Sequence, residues 1–386
     1  MVRALLASFF VGSQAYATPV TAQFADLPSL AWSRGLPGGG VSGLFHTERS
    51  PATVHDEKIY LGSSGGDALF VLDAQTGVLA HSYPAAAPVY SAPVFWDGAV
   101  FFSDSAGYSY RYELGAQTET WSHFSGVPIN STPTISGEQI LVATVEDLAF
   151  AIDGKTGETS WRYQHPPDAT RESELTLFGA PQPIVVGDAA LFGFSDGSLV
   201  QLQKDTGQFE WQRQVGQGRY PDLIAKPVVS DATVYLGAFS EPFIAMDLET
   251  QNPRWSLELG TSSEPLVVGS TLYLPGSDGT LRALDRVTGD MKWEWVSGTS
   301  GALTSPILTP AGLAVASSDG GLYWVHPATG KMIWTYSPGH NLSGISAPLI
   351  YSDDLLLVVT NGAKLLAFQH PVQTSVPNSW GHWDLF

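Results

Sequence analysis

Cysteine is absent from the chain's 386 residues, which excludes disulfides, thiolate metal sites and an N-terminal cysteine that could be acylated. Basic residues are scarce: 18 Lys and Arg stand against 37 Asp and Glu, a formal net charge of −19. So acidic a surface repels nucleic acid and anionic lipid, and neither is expected as a partner. No apolar run reaches the roughly 20 residues of a membrane-spanning helix, so direct membrane insertion is not expected. The nine histidines show no HxH or HExxH spacing, and no metal or other cofactor is expected from them. Pro37-Gly38-Gly39-Gly40 lacks the Gly-Lys-Ser/Thr ending and the following helix of a phosphate cradle, and reads as a linker.

What the chain has is one pattern many times over. Residues 277–293, SDGTLRALDRVTGDMKW, join a tight Ser-Asp-Gly corner, a short alternating strand, a second turn and a strand bearing a large aromatic anchor. Asp-x-x-Thr-Gly-x-x-x-Trp recurs at Asp153, Thr156, Gly157 and Trp161, and Asp73, Thr76 and Gly77 lead to His81 in place of the tryptophan. Looser copies end at Trp121, Trp211, Trp255 and Trp334. A second marker agrees with the first. Proline after small or polar residues opens a hydrophobic run at Pro51, Pro93, Pro133, Pro183, Pro227, Pro265, Pro306 and Pro348. Proline is tolerated at the first residue of a strand, where its missing N–H breaks no ladder bond.

A period near 40 residues, with four short strands per period and no helical stretch, predicts an all-β chain folded as an eight-bladed β-propeller of four-stranded blades. The eighth copy supplies three strands only. Leu30-Ala31-Trp32-Ser33 looks like a fourth strand without its first three, so the N-terminal strand is expected to close the last blade and remove an open sheet edge. The expected organisation is a signal peptide over 1–17, a propeller over 18–370 and a C-terminal tail over 371–386. Arg3, the apolar run over 4–11 and Ala15-Tyr16-Ala17 carry the first of these. Cleavage there would remove Arg3 and take the charge to −20. Trp380, Trp383 and Phe386 are expected to pack the tail against the ring. Asp104, Asp196, Asp278 and Asp319 at the Ser-Asp-Gly-type corners, and Asp73, Asp153, Asp247 and Asp285 before the second turn, read as turn formers rather than catalysts.

Two consecutive spacings are wider than the rest, 50 residues from Pro133 to Pro183 and 44 from Pro183 to Pro227. The surplus lies in 164–182 and 214–226, on the face that carries the Ser-Asp-Gly corners. Loops longer than a fold needs tend to carry function.

The repeat resembles the PQQ-type propeller repeat, and eight blades closed by Trp32 are similar to the BamB-like family of periplasmic outer-membrane protein assembly factors. Leu175-Thr176-Leu177-Phe178-Gly179 matches that family's Leu-x-Leu-Arg-Gly element except at Phe178. Arg219-Tyr220-Pro221-Asp222 through Pro227-Val228-Val229 keeps the family's arginine, first aspartate and Pro-Val-Val, with Ile224 in place of a second aspartate. The resemblance implies a non-enzymatic periplasmic scaffold that assists outer-membrane protein assembly. Its partner would be the barrel-inserting subunit of the assembly machinery, contacted through Leu175, Leu177, Phe178, Arg219 and Asp222. The chain is expected to be a monomer, exported by a cleaved signal peptide and not lipidated, so that it meets the membrane only through a partner. Two alternatives stay open: a propeller binding a carbohydrate or peptide in its central channel, and a small quinoprotein dehydrogenase. The second is disfavoured by the missing Cys pair and the lack of long insertions.

Overall fold

The computed structural model describes residues 27–38, 48–166, 180–339 and 344–369. They form eight four-stranded antiparallel sheets, an eight-bladed β-propeller with no helix among the described residues. Blades I to VII occupy 53–84, 94–124, 134–164, 184–214, 228–257, 266–296 and 307–336, each with its strands in sequence order from the axis outward. Blade VIII takes three strands from 350–369, and its outer strand is Ser29–Gly35 from the other end of the chain, antiparallel to Lys364–Gln369. Closure by the Trp32 strand is therefore as the sequence predicts. The marker prolines sit just outside the sheets, the inner strand beginning one or two residues after each.

The second and third strands of a blade are flanked by neighbouring sheets on both faces. They are short continuous apolar runs, such as Ala99–Ser103 and Leu148–Asp153, and are buried almost throughout. The core is accordingly a set of clusters between adjacent blades. One joins Ile59, Leu61 and Phe70 of blade I to Leu357, Val359 and Leu365 of blade VIII; another joins Leu141 and Ala151 of blade III to Phe192 and Val200 of blade IV.

The outer-strand tryptophans explain the Thr-Gly-x-x-x-Trp spacing, and not within one repeat. Five of them pack on the turn glycine of the next blade. A Cβ added at Gly77, Gly157, Gly207, Gly289 or Gly330 would lie 2.5–2.8 Å from the indole of Trp32, Trp121, Trp161, Trp255 or Trp293 respectively. Four of these indoles also donate Nε1–H to a carbonyl of the receiving turn: Trp121 to Gly154, Trp161 to Lys204, Trp255 to Arg286 and Trp293 to Pro327, at 2.9–3.2 Å. The Asp of the same turn accepts from the Thr that precedes the glycine, as Asp73 Oδ1 does from the Thr76 N–H at 2.9 Å and its hydroxyl at 2.7 Å. These aspartates are turn formers, as the spacing implies.

Candidate docking face and axial cavity

The two wide connectors emerge where predicted. Each outer strand ends beside the corner between its blade's second and third strands: His165 N–H donates to Asp147 O at 3.0 Å, and Val215 N–H to Gly197 O at 2.9 Å. Corner and connector therefore share one face of the ring.

Corner carboxylates clasp the connectors there. Asp104 is fully buried and accepts from the Ala86 and Ala87 N–H groups of the incoming connector, from its own corner at Ala106 and Tyr108, and from the Tyr110 hydroxyl at 2.8 Å. In blade IV, Asp196 Oδ2 lies 2.8 Å from Nε2 of His165, whose ring stacks on Phe194 at 4.4 Å. Burial raises the Asp196 carboxyl, but hydrogen bonds from His165 and the Ser198 N–H outweigh it and leave its pKa below the usual carboxylate range. Asp147 accepts from the Ser195 N–H and hydroxyl, yet its burial dominates and pushes its pKa up. Blade I reverses the arrangement. Its corner is Ser63-Ser64-Gly65-Gly66, and the carboxylate comes from the connector: Glu48 is buried and accepts from both serine hydroxyls and the Ser64 N–H at 2.7–3.1 Å. The sequence offered no sign of this, because Glu48 lies outside the repeat pattern.

Leu175, Leu177 and Phe178 lie outside the described residues. Arg219 and Asp222 lie within the second connector, which is tied to both neighbouring blades. Gly216 N–H donates to Gly197 O, and Leu223 N–H to Phe194 O in blade IV; Phe239 N–H donates to Asp222 O and Gln217 N–H to Glu241 O in blade V, all at 2.9–3.2 Å. Gly216 is required where it stands, since a Cβ there would meet the Pro221 carbonyl at 1.9 Å. Asp222 and Leu223 are buried, at 1% and 2% exposure, whereas Arg219 is exposed, its guanidinium 5.4 Å from the centre of the Tyr220 ring. Tyr220 in turn meets Phe239 edge to face. The two charged residues singled out in the sequence thus have different settings: Arg219 faces solvent and Asp222 is inside the loop.

The ends of both wide connectors also form part of the wall of an axial cavity of about 880 Å³. Ala180, Pro181 and Gln182 contribute from one, and Ile224, Ala225 and Lys226 from the other. Arg49 and Tyr90 line it from the starts of blades I and II, and Glu264 from the start of blade VI. Lys226 Nζ lies 3.5 Å from Glu264 Oε1. Burial raises the Glu264 carboxyl pKa, with Lys226 partly opposing it. Sequence reasoning assigns none of these residues to a cavity and places Ile224 in the docking loop, although most of them shortly precede a marker proline. Among the described residues no three His, Asp or Glu side chains come together as a metal site would require.

Known proteins match this chain at several levels. An outer membrane protein assembly factor BamB from Moranella endobia is 23% identical over 354 residues, 87% of this chain and 89% of that protein. A BamB from Yersinia pestis is 28% identical over 240 residues, 60% of this chain and 59% of that protein. The crystal structure of BamB from Moraxella catarrhalis superposes with a TM-score of 0.75 at 19% identity, covering 89% of this chain and all of that one. A quinohemoprotein alcohol dehydrogenase from Pseudomonas putida superposes with a TM-score of 0.65 at 14% identity, covering 92% of this chain and 78% of that one, a likeness of fold alone. The family model described as outer membrane protein assembly factor BamB matches residues 112–295 and 256–380, most of the sequence, and the chain belongs to that family.

Proposed function

We propose that this chain is a non-enzymatic periplasmic scaffold of outer-membrane protein assembly that docks through the face carrying its two wide connectors. The observation that carries the reading is the build of the second connector. Backbone hydrogen bonds tie it to blades IV and V while it holds Arg219 in solvent, in a chain with only 18 basic residues. A rigid loop with one exposed, ring-supported guanidinium loses little conformational freedom on association, and arginine is among the residues that dominate interface energies. Asp222 acts from beneath, shaping the loop rather than meeting the partner.

In this reading Leu175, Leu177 and Phe178 supply an apolar anchor beside the Arg219 contact, and the partner is the barrel-inserting subunit of the assembly machinery. The test is a pull-down from cell envelope with the mature chain, Arg219→Glu, and Leu175→Ala/Leu177→Ala, all matched to the parent by circular dichroism. Recovery of that subunit by the parent, with loss in both variants, is the expected result. Equal recovery by all three would remove the connectors from the interface, and recovery by none would remove this partner.

A further inference from the structure

We propose that residues 370–386, which follow the third strand of blade VIII, dock across the face opposite the wide connectors, with Trp380 and Trp383 seated on Met332 of blade VII and Met291 of blade VI. This surface is independent of the docking face, which lies on the other side of the ring. The hairpin turns of each blade define it. Ala74 N–H donates to Glu57 O in blade I and Arg286 N–H to Ser270 O in blade VI, which ties the two turns of a blade together away from the Ser-Asp-Gly corners. Beside the second turn, one repeat position is exposed in all eight blades: the residue two before the outer-strand Trp or, in blade I, before His81. It holds Met291, Met332, Leu30 and Leu79 in the consecutive blades VI, VII, VIII and I, each 44–54% exposed. Blades II, III and V carry Glu119, Thr159 and Pro253 there, and Phe209 of blade IV lies against Tyr163, ring centres 6.3 Å apart.

Single exposed apolar side chains need no explanation, but a row on four consecutive blades is a patch, and patches mark binding surfaces. Val287 and Val78 in the adjoining turns, 61% and 54% exposed, extend it. The path of the chain names the occupant. Gln369, the last described residue, pairs with Ser29 on one side and Leu355 on the other, so the chain leaves blade VIII on this face, within the row. Residues 370–386, HPVQTSVPNSWGHWDLF, lie outside the described residues. Two tryptophans, two valines, a leucine and a phenylalanine stand there against one aspartate and no Lys or Arg, a composition that suits an apolar patch. Trp380 lies eleven residues beyond Gln369. A chain of that length spans at most about 40 Å, and sheets packed face to face stand on the order of 10 Å apart, so blades VII and VI are within reach. The methionines decide the direction. Met246 is fully buried, whereas Met291 and Met332 are both exposed and adjacent, and a flexible thioether packs favourably on aromatic rings.

The methionine methyl groups report on the contact directly. The full chain, isotope-labelled at those methyls, is compared by NMR with Trp380→Ala/Trp383→Ala, and Met291→Ser and Met332→Ser assign the signals. In the parent the Met291 and Met332 signals are expected to be displaced by the indole ring currents. In the tail variant they should move to the position of an exposed methionine while Met246, in the core beside blade V, stays where it was. A second readout works from the other side. Chymotryptic cleavage after Trp380 and Trp383 follows the undocked population, so Met291→Ser/Met332→Ser should speed it about tenfold or more. Phe209→Ser, at the same repeat position on blade IV, should leave it unchanged. Signals of Met291 and Met332 that ignore the loss of both tail tryptophans would overturn the proposal, as would equal cleavage of the parent and Met291→Ser/Met332→Ser. A displacement that grows with protein concentration would overturn it too, by assigning the patch to a second copy of the chain.

Discussion

The junction between blades III and IV and the junction between blades IV and V do the same job with different parts. At the first, Trp161 is 7% exposed, donates to Lys204 O at 2.9 Å and packs face-on against Gly207. At the second, Trp211 is half-buried beside the cluster of Val234 and its neighbours Val229 and Leu248, and the receiving turn carries Gln251, at φ 59°, where five other turns carry glycine. One junction is a specific lock and the other is ordinary apolar packing. A ring tolerates the mixture because each blade is held from two sides and by its own hydrogen-bond ladder, so a weaker junction lies between stronger ones.

The largest expected effect comes from removing the lock outright. Trp161→Ala should destabilise by about 3–5 kcal/mol, the range for deleting a buried large aromatic, whereas Trp211→Ala should cost about half as much because its side chain is already partly in water. Guanidinium midpoints of the two variants check this, and equal shifts would mean that the glycine contact adds nothing to burial.

The receiving side gives the next effect. Gly207→Ala forces a Cβ to 2.5 Å from the Trp161 ring at φ 69°, while Gly187→Ala, in the same blade at φ 61°, meets nothing within 4 Å. Both incur the left-handed backbone penalty of about 1–2 kcal/mol. Only the first also displaces the indole, so its loss should exceed that of Gly187→Ala by about 1–2 kcal/mol, within the range typical of overpacking.

A finer comparison isolates the indole N–H. Trp32, which closes the ring, packs on Gly77 as Trp161 does on Gly207, yet its Nε1 is buried without a hydrogen-bond partner among the described residues. Phenylalanine removes an engaged donor at 161 and an unsatisfied one at 32. Trp161→Phe should therefore cost about 1 kcal/mol more than Trp32→Phe, the net worth of a typical hydrogen bond. Thermal midpoints measured side by side would show the order, and a reversed order would mean that the Trp32 N–H finds a partner in solution.

The repeat was legible because a propeller imposes the same local chemistry eight times. Proline before each inner strand, aspartate opening the second turn in four of the blades and a tryptophan on most outer strands recur at fixed offsets, and Trp32 standing ahead of the first proline revealed the closure. The relation between repeats was not legible. The spacing from Gly157 to Trp161 suggests a contact within one hairpin, but Gly157 receives Trp121 and Trp161 goes on to Gly207, because neighbouring sheets lie face to face. A central channel follows from the ring, but the residues lining it were not legible, for the related reason that the lining draws single residues from distant blades. Of the candidate docking residues, Arg219 and Asp222 looked alike as charges on a long loop. Only the backbone bonds of that loop to blades IV and V put one outside and the other within.

The smallest effect concerns how blade V's turn manages without its glycine. Asp247 accepts from the Thr250 N–H at 2.9 Å and hydroxyl at 3.1 Å and pairs with Arg254 at 2.6 Å. The Thr250 backbone bond, followed by Arg254, holds its pKa down at about 2. The Asp73, Asp153 and Asp285 carboxyls are lowered as well, Asp73 chiefly by the Thr76 hydroxyl and then its N–H, Asp153 and Asp285 chiefly by backbone N–H groups of the turn. A carboxylate depressed in the fold stabilises it fully above the ordinary aspartate value near 4, and that contribution fades as pH falls through the folded value. Asp247→Asn should therefore lower the thermal midpoint at pH 7, and its difference from the parent should narrow between about pH 4 and pH 2. The comparison is made as a difference because acid titrates the chain's many other carboxylates in both proteins alike. A gap that persists unchanged at pH 2 would mean that the turn needs the shape of the aspartate side chain and not its charge.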